Sequence, residues 1–251
     1  TEGIHPDDYQ DCLHTYLTAF TKRERFEMEY RLQRFDGEYR WVLDVGMPRF
    51  LSDGSFAGYT GSCVDITDRK QAQEALQKQL EQVLLMRQIT QKIRSSLAPR
   101  LIFQTTAEQV GQAFKVNRCL IHSYVKEPQP SLPVVAEHLE PGYVSMLGMA
   151  IPLDNNRHAS RMLEVDEVLV SHDVLTEPLL MEMLPLCEQV QLKSMMVIRT
   201  SYHGKPNGAI AVQQCNQQRT WTEEEAELLK ALAEQVGIAL AQANLLENER
   251  E

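Results

Sequence analysis

The sequence predicts an α+β protein in which a partial antiparallel sheet and a helical linker precede a second antiparallel sheet flanked by helices. Three observations carry this. Residues 26 to 64 alternate apolar and polar side chains around two Asp-Gly pairs, the pattern of hairpin-connected strands. Residues 68 to 97 hold no Gly or Pro and repeat apolar residues every three to four positions, the pattern of a helix. The remainder opens on an amphipathic segment, breaks into β-type runs and closes on a regular heptad. A chain of 251 residues has room for two domains of ordinary size.

Composition narrows the function classes. Apolar residues make up 43% and charged residues 24%, the balance of a soluble globular protein. A net charge of −10 argues against nucleic acid and against an anionic membrane surface as partners. No run of 18 apolar residues occurs and no secretory signal opens the chain, so a cytoplasmic location is expected. The chain does not begin with Met and is expected to be a piece of something longer. Five scattered cysteines, with no Cys-x-x-Cys and no His at zinc spacing, read as free thiols rather than a disulfide framework or metal site.

In chain order, His5-Pro6-Asp7-Asp8 caps a short helix running to about Thr21. Phe26 to Arg34 is the first strand, and Asp36-Gly37 suits a type I′ turn, whose two central positions need positive φ. Tyr39 to Val45 and Phe56 to Val64 are the next two strands, with Asp53-Gly54 turning between them. Either Asp65 or Thr67 can cap the helix that follows. These motifs, with Arg40-Trp41-Val42, Gly54-x-x-x-Gly58-Tyr59-x-Gly61 and Asp65-Ile66-Thr67-Asp68-Arg69-Lys70, resemble the C-terminal part of a PAS domain, here residues 1 to 67. The resemblance implies that the earlier strands, which form much of that family's pocket, lie before Thr1. A three-stranded remnant has an unpaired edge that favours self-pairing. No PAS ligand is assigned, and Trp41 reads as core or sheet-face packing.

The linker, 68 to 97, places Leu76, Leu80, Val83, Ile89, Ile93 and Leu97 on one stripe with Met86 beside it. Such a stripe needs a partner. One is the same helix of a second subunit, giving a coiled-coil homodimer; the other is the chain's own second domain.

The second domain, 98 to 251, starts with a helix over 99 to 115 through Leu101, Ile102, Val110 and Phe114. Asn117 to Ile121 begins a strand, and Pro128, Pro130 and Pro133 mark an exposed loop. Further strands are expected near Pro133–His138, Val168–Ser171, Ser194–Arg199 and Ala209–Gln214, with Gly204 to Gly208 as the last turn. Thr222 and Glu225 form a capping box. Leu229, Leu232, Val236, Ala239, Ala243 and Leu246 then follow a strict 3-4 spacing, which reads as a second dimer seam.

Gly208 to Cys215, Arg219-Thr220-Trp221 and the run from Glu227 to Ala241 resemble the GAF domains of phytochromes and cyanobacteriochromes in cyanobacterial sensor kinases. Bilin-binding members carry a Cys-His pair on the helix before the Lys193–Arg199 strand; here those positions hold Glu182 and Met183. A carboxylate forms no thioether, so no cofactor is expected to be covalently bound. An empty or small-ligand pocket filled by Met183, Met195 and Met196, or one holding a noncovalent bilin, fits better. The cyclic-nucleotide signature of GAF folds is not found.

Other motifs are weaker. Ser171-His172-Asp173 resembles a kinase phospho-acceptor box, but Leu175 stands where Arg is expected, and the segment reads as a strand end. His122, His138, His158 and His203 show no triad or metal spacing. Cys119, Cys187 and Cys215 make a GAF-type methionine sulfoxide reductase conceivable. No catalytic group is assigned. The resemblances together imply a sensory and relay region of a two-component sensor histidine kinase or hybrid kinase. It would pass input from junction residues Asp65 and Thr67 through dimer seams at Leu76, Leu80, Val83, Leu232 and Val236 to a downstream kinase or other output domain.

Overall fold

The alternation in the first third of the chain becomes a three-stranded antiparallel sheet, and the β-type runs of the rest become a six-stranded one. The computed structural model describes residues 3–93, 98–126 and 129–248, giving only the backbone of 243, 244 and 246–248. The chain divides into two units, Thr1–Gln82 and Val83–Glu251.

In the first unit, helix α1 (Pro6–Lys22) is capped by His5, whose Nδ1 accepts from the Asp7 N–H at 3.2 Å. Strands β1 (Phe26–Gln33), β2 (Tyr39–Phe50) and β3 (Phe56–Asp65) follow in the order β1-β2-β3, so β1 and β3 are edge strands. Neither Asp-Gly pair forms a type I′ turn. Arg34 and Glu38, and Leu51 and Ser55, close three-residue loops in which only the glycine, Gly37 (φ 89°) or Gly54 (φ 83°), is left-handed. One extra residue relaxes the need for positive φ at both central positions. The buried core here is thin: Cys12, Tyr30 and Val42, flanked by Ile4, Met28 and Leu32.

Helix α2 (Thr67–Ile93) begins in the first unit and ends in the second. Its last turns are not a free stripe. Ile89 and Ile93 are buried in the second unit's core, with Leu85 and Met86 packed against it. Leu97 lies outside the described residues.

The second unit continues with α3 (Pro99–Phe114), β4 (Arg118–Ser123), β5 (Ser131–Leu139), β6 (Ala150–Pro152), α4 (Arg157–Glu164) and β7 (Leu169–Ser171). A 3-10 turn (Pro178–Met183), α5 (Leu184–Gln189), β8 (Ser194–Tyr202), β9 (Lys205–Gln214) and α6 (Glu223–Asn248) complete it. The sheet order is β6-β5-β4-β9-β8-β7. Pro133 lies inside β5 rather than in a loop, and Pro128 lies outside the described residues. The last hairpin turns more tightly than the Gly204–Gly208 reading. His203 (φ 50°) and Gly204 (φ 74°) are its two left-handed central residues, and Lys205 to Gly208 already belong to β9.

Strand alternation sorts the core into two layers. Cys119, Ile121, Met196, Ile198, Ile210 and Val212 face α3, α6 and the end of α2. Leu120, Met195, Val197, Ala209 and Ala211 face the opposite side with Met162 of α4 and Cys187 of α5. Between Ile121 and His122 the pairing with β5 slips, Ile121 opposing Ala136 and His122 opposing Val134. This bulge lets Val134 and Ala136 serve opposite layers. On the helical side two glycines permit close approach. A Cβ on Gly111 of α3 would sit 2.2 Å from the His138 ring, and one on Gly237 of α6 would sit 2.2 Å from the Ser201 carbonyl oxygen.

The terminal heptad is therefore an internal surface. Leu229, Leu232 and Val236 are 0% exposed and Ala239 5%, all inside their own unit's core. The second-seam reading is corrected on that ground, because a seam needs side chains that a partner can reach. The side chains of Ala243 and Leu246 lie outside the described residues. The capping box forms as expected: Thr222 Oγ1 accepts from the Glu225 N–H at 3.2 Å, and Glu225 Oε2 from the Thr222 N–H at 2.9 Å.

Candidate functional site: a cavity and a helix junction

The second unit holds a half-open cavity of about 90 Å³ between the sheet and the layer formed by α4, the 3-10 turn and α5. Its floor is the sheet face carrying Leu120, His122, Met195 and Ala211; Met162, Met183 and Cys187 close it from the other side. Of the methionines expected to fill a pocket, Met183 and Met195 line it. Met196, one residue along β8, is buried in the helical layer instead, because successive strand side chains point to opposite faces. Glu182 is exposed and does not line the cavity.

The polar groups around the cavity are few and mostly committed. His122 Nδ1 lies 3.1 Å from the Leu132 carbonyl oxygen. A carbonyl only accepts, so Nδ1 carries the proton and Nε2 is an acceptor. Burial pushes the His122 pKa down to about 4. His158, at the start of α4, is also buried and shifted down by burial, and its Nε2 has no hydrogen-bond partner among the described residues. The helix bearing it starts where Asn156 Oδ1 accepts the Ala159 N–H at 3.0 Å, while Asn156 Nδ2 donates to the Pro152 carbonyl at 2.9 Å.

Arg118 is fully buried behind the cavity wall. Its guanidinium donates to Gln213 Oε1 at 3.0 Å and to the Val190 carbonyl at 2.9 Å, and Glu137 lies 3.9 Å away. Glu137 in turn accepts from Ser145 Oγ (2.6 Å) and the Met146 N–H (2.9 Å), holding Met146 against the cavity. A buried arginine loses several kcal/mol of hydration, which these partners offset only in part, since Arg118 Nε has no hydrogen-bond partner among the described residues. Cys119, Cys187 and Cys215 are buried and burial raises each pKa, that of Cys187 to about 11, whereas a thiol nucleophile needs the opposite shift. His172 directly follows β7 and its Nδ1 accepts the Trp221 N–H at 3.1 Å, an internal structural bond.

The second assembly is the start of α2. Asp65 Oδ1 accepts the Thr67 N–H at 2.8 Å, satisfying one orphan donor, and Arg40 Nε donates to Asp65 Oδ2 at 3.1 Å. Hydrogen bonding from the Thr67 side chain, then from the Thr67 N–H and Arg40, holds the Asp65 carboxyl at a pKa of about 2. Thr67 does something else: its hydroxyl accepts the Trp41 N–H at 2.9 Å, tying the helix to β2 rather than capping it. Glu29 on β1 pairs with both Arg69 and Lys70 of the helix's first turn, and Lys70 Nζ lies 5.0 Å from the Trp41 ring centre. Further along, Leu76, Leu80 and Val83 are 67%, 50% and 63% exposed.

The structure places Asp65 and Thr67 at the start of α2 and buries His122 and His158, to which the sequence reading gave only surface or core roles. The signal for His122 is its place in the run Cys119-Leu120-Ile121-His122, apolar on both faces, where an imidazole must be buried. For His158 it is the capping residue Asn156 just before it.

The family model for the GAF domain matches residues 98–240, and that for the PAS fold residues 1–63. An uncharacterized protein, y4lL of Sinorhizobium fredii, is 42% identical over 87 residues, 35% of this chain and 10% of that protein. The circadian input-output histidine kinase CikA of Synechococcus elongatus is 24% identical over 190 residues, 69% of this chain; this chain thus spans only 25% of the kinase. The phycocyanobilin-bound GAF domain from a cyanobacterial phytochrome superposes with a TM-score of 0.57 at 24% identity, over 66% of this chain and 96% of that one.

Proposed function

This chain belongs to the GAF domain family, and from that premise we propose that it is the sensory and relay region of a dimeric, cytoplasmic sensor histidine kinase or hybrid kinase. In this reading the second unit senses a small noncovalent ligand. The observation that carries it is the division of one sheet into two faces: the cavity on one, and the end of α2 with α6 on the other. A ligand that favours one packing of the sheet shifts the helices on its far side, and only differential affinity for two packings moves such an equilibrium. No helix among the described residues is long and apolar enough to cross a membrane. Kinase relatives, the PAS fold ahead of the GAF domain and the exposed stripe on α2 support the reading.

The stripe is the dimer surface in this reading. Replacing Leu76, Leu80 and Val83 together with Glu should halve the mass measured by analytical ultracentrifugation and leave the thermal midpoint of the second unit unchanged. A wild-type chain that sediments as a monomer at high concentration overturns the seam.

A bilin photosensor is the second reading, favoured by the phycocyanobilin-bound neighbour. The cavity weighs against it. An engineered cavity of about 150 Å³ just admits benzene, and about 90 Å³ is smaller still. An absorption spectrum after co-expression with a bilin-synthesis pathway, native and then acid-denatured, decides it. A native band supports a bilin, and one surviving denaturation makes it covalent.

A further inference from the structure

The cavity's chemistry narrows what it accepts. No Asp, Glu, Lys or Arg among the described residues lines it, and burial holds His122 and His158 neutral and the Cys187 thiol protonated. A charged ligand would therefore enter without a counter-charge at the wall. Arg118 does not supply one, since its terminal nitrogens are taken by Gln213 and the Val190 carbonyl, with Glu137 beside it. Four thioethers, from Met146, Met162, Met183 and Met195, line the space with flexible, polarisable surface suited to the edges of aromatic rings. One buried nitrogen on the wall, His158 Nε2, has no partner among the described residues. Buried polar atoms are almost always paired, so this one points to a group the ligand brings.

We propose that the cavity takes a small uncharged five-membered heteroaromatic ring, about five heavy atoms in size, seated among the four methionines and hydrogen-bonded to His158 Nε2. The inference rests on the ligand-sensing role proposed above and specifies the ligand's class.

The test uses the whole chain with ¹³C-labelled methionine methyls. The probes are pyrazole, which presents both an N–H and an acceptor nitrogen, thiophene, a ring of like size without a hydrogen-bonding nitrogen, and pyrazole-4-carboxylate. Pyrazole is expected to move the methyls of Met146, Met162, Met183 and Met195 most, that of Met196 in the far layer less, and to leave that of Met28 in place. His158→Leu should weaken pyrazole at least tenfold and leave thiophene unaffected, while His158→Gln, which keeps a hydrogen-bonding head, restores most of the loss. Should the Leu variant not fold, the Gln variant and the comparison of pyrazole with thiophene decide alone. Thiophene binding as tightly as pyrazole overturns the His158 pairing but leaves a ligand sensor standing. Equal binding of the carboxylate overturns the requirement for an uncharged ring. No methyl shift with any ring overturns both the inference and the small-ligand reading.

Discussion

At His122 burial decides the charge, and the charge decides how the second unit meets acid. The folded pKa is about 4 against an ordinary 6.5. Between those values the unfolded chain binds one more proton than the folded one, so stability rises with pH there and falls as pH drops from 6.5 to 4. At about 1.4 kcal/mol per tenfold change in proton affinity, the loss amounts to about 3 kcal/mol by pH 4. His158 shifts in the same direction and adds to it. Asp8 and Asp65, each held near 2, lose their contributions only below the ordinary carboxylate value of 3.8, so the windows separate. Urea midpoints followed against pH should show this slope, and His122→Asn should flatten it. An unchanged slope in that variant assigns the acid sensitivity elsewhere. None of this was legible as motif spacing, because a desolvated imidazole is made by what surrounds it in three dimensions.

Among elements, the start of α2 shows how two adjacent polar residues divide their tasks. Asp65 caps; Thr67 anchors the helix to β2 through the Trp41 N–H. Thr67→Val keeps the shape and leaves that N–H without its acceptor, which should cost about 1–2 kcal/mol and speed hydrogen exchange at the Trp41 amide. Asp65→Ala should cost about 1 kcal/mol and leave that amide protected. Exchange that rises equally in both variants removes the distinction. The helices were also where sequence reading reached its limit. Three-to-four spacing reveals that a helix has an apolar face, but not what covers it. In α6 the cover is the chain's own sheet over Leu229, Leu232 and Val236. In α2 the same stripe goes from exposed at Leu76 and Leu80 to buried at Ile89 and Ile93. The turns show a related gap: Asp36-Gly37 located a hairpin correctly, but loop length, not the dipeptide, chose the turn.

For the molecule as a whole, the two units differ in how much they bury. The first buries only Cys12, Ala19, Phe26, Tyr30, Val42 and Ile66 among its described apolar residues, while the second packs both faces of a six-stranded sheet. Since apolar burial is the main favourable term in folding, calorimetry should resolve two transitions, the first unit melting at the lower temperature. Leu232→Ala should cost about 2–5 kcal/mol and lower only the upper transition. A single transition that moves as one would show that the units fold together. The α+β class followed from periodicity read together with the family resemblances. The layer assignment of each strand residue did not, because it depends on register and on the bulge between Ile121 and His122.

Met195 and Met196 sit side by side in β8, yet one borders the cavity and the other the helices. The peptide between them is a fulcrum, and so is each peptide joining Leu120 to Ile121 or Ile210 to Ala211. A change of volume on one side tips the load borne on the other. Retuning the cavity therefore disturbs the helical layer unless that layer is adjusted in step. Across the evolutionary history of this sheet, changes at Met195, Val197 and Ala211 should travel with changes at Met196, Ile198 and Val212 directly behind them.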